Sequence, residues 1–412
     1  MSLVRLLFST KLSLTIYFAI EREFSLTIWH IVTGEYPPQP GGVSDYTRLV
    51  AQGLAGTGDE VHVWSPKCQE RTPEDAGVIV HRLPDHFGPR ALSALNSYLN
   101  RLPKPCRLLV QYVPHAFGWK AMNLPFCLWL HSRRRRDSIW TLFHEVAYPL
   151  APNQTLAQNM LGVVTRQMAS IVARAAERVF VSIPAWERTL RTLVPGLNSI
   201  TWLPVPSNIP VINDPIGVKA VRTRYASAKD FVLGHFGTYG RHITELLLTI
   251  LPPLLRGFSE RVMLLLGSGG KDVRDELLRS HPGLKGNVHA TGELAMDALS
   301  RHLNACDMMI QPYADGISSR RTSAMASLQH GVPIISTSGQ LTEPLWAESG
   351  AVALVQVENI NAMVDAVNHL QENKGERTRI SMAAQTLYKE RFDINHLITT
   401  LHEPADFNTQ RW

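Results

Sequence analysis

The densest group of ligand-binding residue types in the chain is Asp315-Gly316-Ile317-Ser318-Ser319-Arg320-Arg321-Thr322-Ser323, set between the strand-like run MMIQPY and a helical run from Ala324 to His330. Unpaired N–H groups at a helix start, hydroxyls and guanidinium forks together suit a diphosphate. Ser318, Arg320, Arg321, Thr322 and Ser323 are the candidate contacts; the plainer reading is a solvated helix cap. A second group, Gly41-Gly42-Val43-Ser44-Asp45-Tyr46, also lies between a strand and a helix. Glycines there let a ligand reach the backbone, and the helix N-terminus favours a phosphate or a sugar hydroxyl. Ser44 or Asp45 would otherwise simply cap the helix. Gly237-Thr238-Tyr239-Gly240-Arg241 follows FVLGHF and offers Gly237 and Arg241 as a further phosphate contact. The run from Gly267 to Lys271 imitates a P-loop, but Leu265 stands where that motif needs its first glycine, so it reads as a strand-end turn.

Among 16 histidines, His144 draws most interest because it ends the strand IWTLF and precedes Glu145, at a carboxyl edge. His115, in YVPHAFG, is placed similarly; each is otherwise a packed histidine. No HExxH, GxSxG or spaced Cys/His set occurs, so metalloprotease and α/β-hydrolase chemistry lose support and no metal ligand is assigned. Arg133, Arg134, Arg135 and Arg136 form a run that reads as a charged helix end or as contact with an anionic membrane surface or polyanionic acceptor. Without an aromatic ladder or a recognised motif beside it, nucleic acid is not indicated.

A chain of 412 residues predicts two to three domains, and 45% apolar content excludes a disordered one. Cys68, Cys106, Cys127 and Cys306 are scattered, which fits a reducing compartment and no disulfide scaffold. The net charge of +6 permits anionic partners and proves none. The apolar run from Leu6 to Ile20 is too short to span a bilayer and lacks a small-residue cleavage site, so residues 1–24 read as a leader of uncertain status. From Leu26 onward, strand-like runs alternate with helical ones, the pattern of right-handed βαβ units in a parallel sheet. The Pro-rich segment 202–215 interrupts it, and a second alternating block begins at Phe231. The expectation is two doubly wound, Rossmann-like α/β domains facing a central cleft. They cover 25–206 and 230–390, joined by a linker at 207–229 and followed by terminal helices at 391–412. Ligands in such sheets bind at the carboxyl ends of the strands.

The segment TGEYPPQPGGVSDYTRLVAQGLAGTGDEVHVWSP resembles the opening of family 4 glycosyltransferases. FHEVAYP, RVFVS, VPSNIP, LGHFGTYG, HGVPIISTSG and KERFD continue the resemblance in order, over nearly all of the chain from about residue 26. It implies the GT-B architecture, a nucleotide-sugar donor on the C-terminal domain, an acceptor on the N-terminal one, retention of anomeric configuration, no essential metal or other cofactor, and final helices that cross back to the first domain. It further implies that Gly41 and Gly42 face donor phosphates and acceptor, that His144 faces the reacting sugar, and that Asp315-Gly316 stands where the family has a sugar-contacting Glu-Gly. Gly331-Val332-Pro333 matches the G-x-P after the donor-site helix. The sequence departs from the family's two-glutamate motif: no Asp or Glu occurs between Gly316 and Thr342, and Ala326 aligns with the second glutamate. The segment resembles a variant subgroup with D-G-x-S-x-R-R.

The resulting expectation is a retaining hexosyltransferase-type enzyme that moves a sugar from a nucleotide-diphosphate sugar to a glycan or lipid-linked acceptor in surface polysaccharide or cell-wall synthesis. It would work in the cytoplasm, peripheral on the inner face of the cytoplasmic membrane. His144 and Asp315 carry the catalytic expectation, with Arg320, Arg321 and Arg241 stabilising the leaving diphosphate. A non-catalytic binder of nucleotide sugar or glycan, and a nucleotide-sugar epimerase on the same fold, are the alternatives.

Overall fold

The computed structural model describes residues 27–197 and 199–403; the leader expected at 1–24 and the last nine residues lie outside them. The first domain runs β1 (Ile28–Thr33), α1 (Gly42–Gly56), β2 (Glu60–Pro66), β3 (Val78–Leu83), α2 (Pro89–Leu99), β4 (Arg107–Tyr112), α3 (Leu124–Arg133), β5 (Ser138–Phe143), α4 (Leu156–Ala175), β6 (Arg178–Val181), α5 (Pro184–Leu193) and β7 (Ile200–Trp202). Its strands form a parallel sheet of order β3-β2-β1-β4-β5-β6-β7. Helix α6 (Pro215–Tyr225) then leads into β8 (Phe231–Phe236), α7 (Arg241–Leu255), β9 (Arg261–Leu266), α8 (Gly270–Ser280), β10 (Val288–Gly292), α9 (Met296–Asn304), β11 (Met308–Gln311), α10 (Thr322–His330), β12 (Ile334–Ser338), α11 (Leu345–Glu348), β13 (Ala353–Gln356) and α12 (Ile360–Glu372). These strands pair in parallel as β10-β9-β8-β11-β12-β13. Helices α13 (Lys374–Leu387) and α14 (Ile394–His402) close the described chain. Both domains are therefore doubly wound, Rossmann-like layers.

Strands buried on both faces read as near-continuous apolar runs, and β9 (RVMLLL) is buried at every position, its Arg261 bonded to Gln371, Asn368 and the Leu254 carbonyl. Each sheet separates two clusters: α2 to α5 cover one face of the first sheet, and α1 with α14 covers the other. Helix α4 starts at a capping box in which Thr155 and Gln158 bond each other's backbone. Helix α14 reaches the first domain because Gly53 of α1 leaves room for Ile398: a Cβ on that glycine would stand 2.7 Å from Ile398 Cδ1. The same crossing is held by His402 Nε2, 2.6 Å from Asp59. The segment expected as a linker contains α6, which docks on the second domain through Asp214–Arg301 and Arg222–Asp307, both at 2.7 Å. Among the described residues, no helix is long and apolar enough to cross a membrane.

The arginine run divides. Arg133 is buried, with Nε 2.5 Å from Asp137 and Nη1 bonded to Asn96 and Asn100, so it ties α3 to α2 and cannot face a partner. Arg134, Arg135 and Arg136 are exposed. Asp137 is buried as well, and the bonds from Arg133 and Lys104 hold its carboxyl below its ordinary value against the opposing cost of burial.

Two of the imidazoles inside the sheets bear on stability. His30 of β1 stacks on His62 and accepts a bond from Trp64 Nε1 at 3.3 Å; burial, then the neighbouring histidines, lower its pKa to about 3. His235 of β8 bonds the Ile310 carbonyl at 2.7 Å, and burial lowers its pKa to about 4. A depressed native pKa means that the unfolded chain takes up the proton first. The stability these neutral rings allow is thus complete above about pH 6.5 and lost as pH falls toward the native values. At pH 5 the loss is on the order of 2 kcal/mol per imidazole. The urea midpoint should fall steadily between pH 7 and pH 4.5; equal midpoints at the two ends would mean that the rings are not held neutral.

Candidate active site

The carboxyl ends of β1, β4 and β5 face the loop between β11 and α10 across a cavity of about 350 Å³. The first domain supplies Glu35, Gly41, Gly42, His115, His144 and Glu145 to its wall, and the second supplies Arg320, Arg321 and Thr322. Residues more than 270 positions apart in sequence thus meet at one opening.

The arginines are organised by Asp315. One carboxylate oxygen lies 2.7 Å from Arg320 Nη2, and the other bonds Arg321 Nη2. Asp315 therefore stands behind the guanidiniums rather than on the cavity wall, where the sequence reading had put it against a sugar. Arg320 also reaches the first domain, 3.4 Å from Glu145 and over the Trp186 ring. Arg321 lies over the Tyr313 ring, whose hydroxyl is 2.9 Å from Ser323. The Nε atoms of both arginines are buried and have no hydrogen-bond partner among the described residues, and neither has the Ser318 hydroxyl. Each guanidinium has five N–H donors, so Asp315 orients these two without exhausting them. Gly316 has φ +86°, and a Cβ there would strike Thr342 and Gly339, so the tight turn ahead of the arginines requires glycine.

His144 is 8% exposed, and burial lowers its pKa to about 3. Its Nε2 is 2.8 Å from Gln111 Oε1, an acceptor, so Nε2 carries the proton and Nδ1 keeps a lone pair. Tyr46 packs edge-on at 4.8 Å, and the His144 carbonyl accepts from Trp186 Nε1 at 2.8 Å. A neutral ring so held can accept a hydrogen bond from a hydroxyl, but it cannot serve as a general acid near pH 7.

The sequence reading missed Glu35. Its carboxylate accepts the Ser44 N–H at 3.0 Å and lies against Gly41, so it occupies the start of α1. Desolvation raises its pKa, the Ser44 bond opposing the rise. The helix start expected to seat a phosphate already carries a protein carboxylate. The signal available in sequence was an acidic residue just after β1 and ahead of the paired glycines. Other expected contacts stand apart. Ser318 and Ser323 lie behind the cavity wall, Gly237 packs beside His235, and Arg241 is 86% exposed and paired with Glu245 at 2.9 Å. Ala326, aligned with the family's second glutamate, is wholly buried in α10. Among the described residues, no group of three or more His, Cys, Asp or Glu is arranged to hold a metal ion.

The two glycines differ in a way that can be measured. Gly41 is extended at φ 168°, so only space restricts it, and a Cβ there would displace the Glu35 carboxylate; nothing lies within 4 Å of one on Gly42. Gly41→Ala should cost about 1–3 kcal/mol by overpacking, while Gly42→Ala should change stability by less than about 0.5 kcal/mol. Equal denaturation midpoints for the two variants would contradict the placement of Glu35.

The fold is that of known sugar-transferring enzymes. At 15% identity, sucrose-phosphate synthase from Thermosynechococcus elongatus superposes with a TM-score of 0.70 over 91% of this chain and 97% of its own. WaaG, a glycosyltransferase involved in lipopolysaccharide biosynthesis, is 14% identical with a TM-score of 0.65, over 93% and 100%. Anabaena HepE in complex with UDP-glucose is 16% identical with a TM-score of 0.62, over 91% and 98%. No curated protein matches in sequence. Residues 41–206 match the glycosyl transferase 4-like domain and residues 230–373 match the glycosyl transferases group 1 domain. Those two matches follow one another across the two sheets and together span well over half of the chain, which belongs to the GT-B glycosyltransferases that these paired domains define.

Proposed function

We propose that the chain is a retaining glycosyltransferase that moves a hexose from a nucleoside-diphosphate sugar to a glycan or lipid-linked acceptor in surface polysaccharide or cell-wall synthesis. The observation that carries this reading is the pair Arg320–Arg321. Two guanidiniums, each with a buried Nε lacking a partner, stand in the cleft across from a neutral His144. Fold neighbours in complex with UDP and UDP-glucose support a nucleotide-sugar donor.

In this reading the anomeric C–O bond breaks and its electron pair leaves on the diphosphate. Arg320, Arg321 and the amides at the start of α10 stabilise that charge. The acceptor oxygen forms the new bond from the face the leaving group departs, and the departing phosphate oxygen takes its proton. His144 Nδ1 accepts a hydrogen bond from a sugar hydroxyl and so positions the donor. No metal ion enters this scheme.

Five nucleoside diphosphates (UDP, GDP, ADP, dTDP and CDP) without added metal form the test. One of them should raise the melting temperature, and Arg321→Ala should weaken its binding at least tenfold, about 1.4 kcal/mol, the order of a charge-assisted contact. Unchanged affinity in that variant would sink the donor-site assignment. Consumption of the cognate donor only when an acceptor is present would separate transfer from simple binding and from epimerisation.

A lipid-linked acceptor is supported by the outer face of the first domain. Leu156, Met160 and Val163 of α4, at i, i+4 and i+7, are 82%, 57% and 50% exposed. Arg134, Arg135 and Arg136 follow α3, which packs on α4, and His131 of α3 lies near Arg174 of α4. An exposed apolar stripe at the start of α4 and exposed arginines toward its other end suit the surface of an anionic bilayer, and would hold the enzyme peripherally on the cytoplasmic leaflet. The protein should cosediment with vesicles of phosphatidylcholine and phosphatidylglycerol but not of phosphatidylcholine alone, and the triple Arg134/Arg135/Arg136→Gln variant should stay in the supernatant. Equal sedimentation of variant and parent would remove the arginines from the surface.

A further inference from the structure

Glu343 lies between β12 and α11, is 5% exposed, and is not on the cavity wall. Its Oε1 is 3.0 Å from the Ser319 N–H and 2.6 Å from the Ser319 hydroxyl, and its Oε2 accepts from Trp346 Nε1 at 2.6 Å. Ser319 in turn is one of the points at which the second domain touches the first. Its hydroxyl stands 3.0 Å from the Ser182 carbonyl and 3.1 Å from Trp202 Nε1, and its carbonyl accepts the Val205 N–H at 3.1 Å. The backbone of Ser319 is thereby held on both sides, by Glu343 at its N–H and by Val205 at its carbonyl. Arg320 and Arg321 are the next two residues. Burial of a carboxyl so deep is costly unless hydrogen-bond donors offset it, and Ser319 and Trp346 are those donors.

We infer that Glu343 is a positioning residue. By gripping Ser319 at the domain seam, it fixes where Arg320 and Arg321 meet the diphosphate of the donor. This inference rests on the donor reading given above. Arg320 starts from a backbone pinned to both domains, so the guanidiniums face the cavity without searching for that geometry after ligand binding. Shape alone does not account for the arrangement. Glutamine has nearly the volume of glutamate, but it can accept at one oxygen only, and its NH2 would oppose either Ser319 or Trp346.

The test compares the affinities of the cognate nucleoside diphosphate and the matching monophosphate for the full chain, Glu343→Gln and Ser319→Ala. Both variants should lose affinity for the diphosphate by about tenfold or more while monophosphate affinity changes less than about twofold, a split that a merely stabilising residue would not produce. Ser319→Ala keeps the carboxylate and the backbone bond, so it carries the test if Glu343→Gln does not fold. Unchanged diphosphate affinity, or equal loss for both ligands, in a folded variant overturns the positioning role while leaving the donor reading in place. Failure of the parent chain to bind any of the five diphosphates overturns both.

Discussion

Two neighbouring guanidiniums in a half-buried cleft repel one another, and a carboxylate between them relieves that repulsion most usefully when it leaves some of their N–H groups free. Asp315 does both by taking one N–H from each arginine. Mutual repulsion is relieved, and the Nε groups stay unpaired. The surrounding architecture follows from this. Gly316 makes the turn that brings Asp315 back beneath the arginines, Tyr313 carries Arg321 on its ring, and Glu145 with Trp186 receives Arg320 from the other domain. The cleft is thus closed by the same side chains that give it its charge, so domain approach and ligand electrostatics are one problem here.

Most of the parallel strands, though not β7 or β13, were legible in the sequence because burial on both faces leaves a short unbroken apolar run, such as VMLLL in β9. Several helices were not. Helices α2, α5 and α6 each begin with proline, at Pro89, Pro184 and Pro215. Proline reads as a breaker, yet the first helical position needs no N–H, so it starts a helix as readily as it ends one. For the same reason α6, which opens at Pro215, stood unannounced inside the linker expected at 207–229. The arginine run misled in the opposite direction. Charge density in sequence carries no depth, and only the fold shows that Arg133 turns inward to Asp137 while the next three residues do not.

The cleft was legible in part. Arg320, Arg321, Thr322 and His144 converge where strand-end logic puts a ligand, because the carboxyl edge of a parallel sheet is fixed by topology. Arg241 follows the same logic and stays outside, since a helix start sets the direction of a long side chain only loosely and Glu245 one turn on draws it to the surface. Glu35 and Glu343 escaped notice for a shared reason. Each acts on a backbone N–H outside its own loop, that of Ser44 at the start of α1 or that of Ser319, and acid-to-amide pairings of that kind follow no fixed spacing.

These two carboxylates also explain how the two domains come to differ. In each, a loop leads from a strand end into a helix start, α1 or α10, and either start attracts an anion. At α1 the attraction is met by Glu35, so that end of the cleft is lined by carboxylate, by His115 and by a neutral imidazole at His144. The carboxylate repels phosphate, and the free nitrogen of His144 accepts a hydrogen bond from a hydroxyl. At α10 the attraction is reinforced by two arginines, and the carboxylate nearby serves only to orient them. One internal acid placed on one helix start divides otherwise similar α/β layers into a side that favours a polyhydroxyl group and a side that favours a diphosphate. In the proposed transfer, a sugar lying between them would have its leaving group and its incoming oxygen sorted by charge before any bond changes.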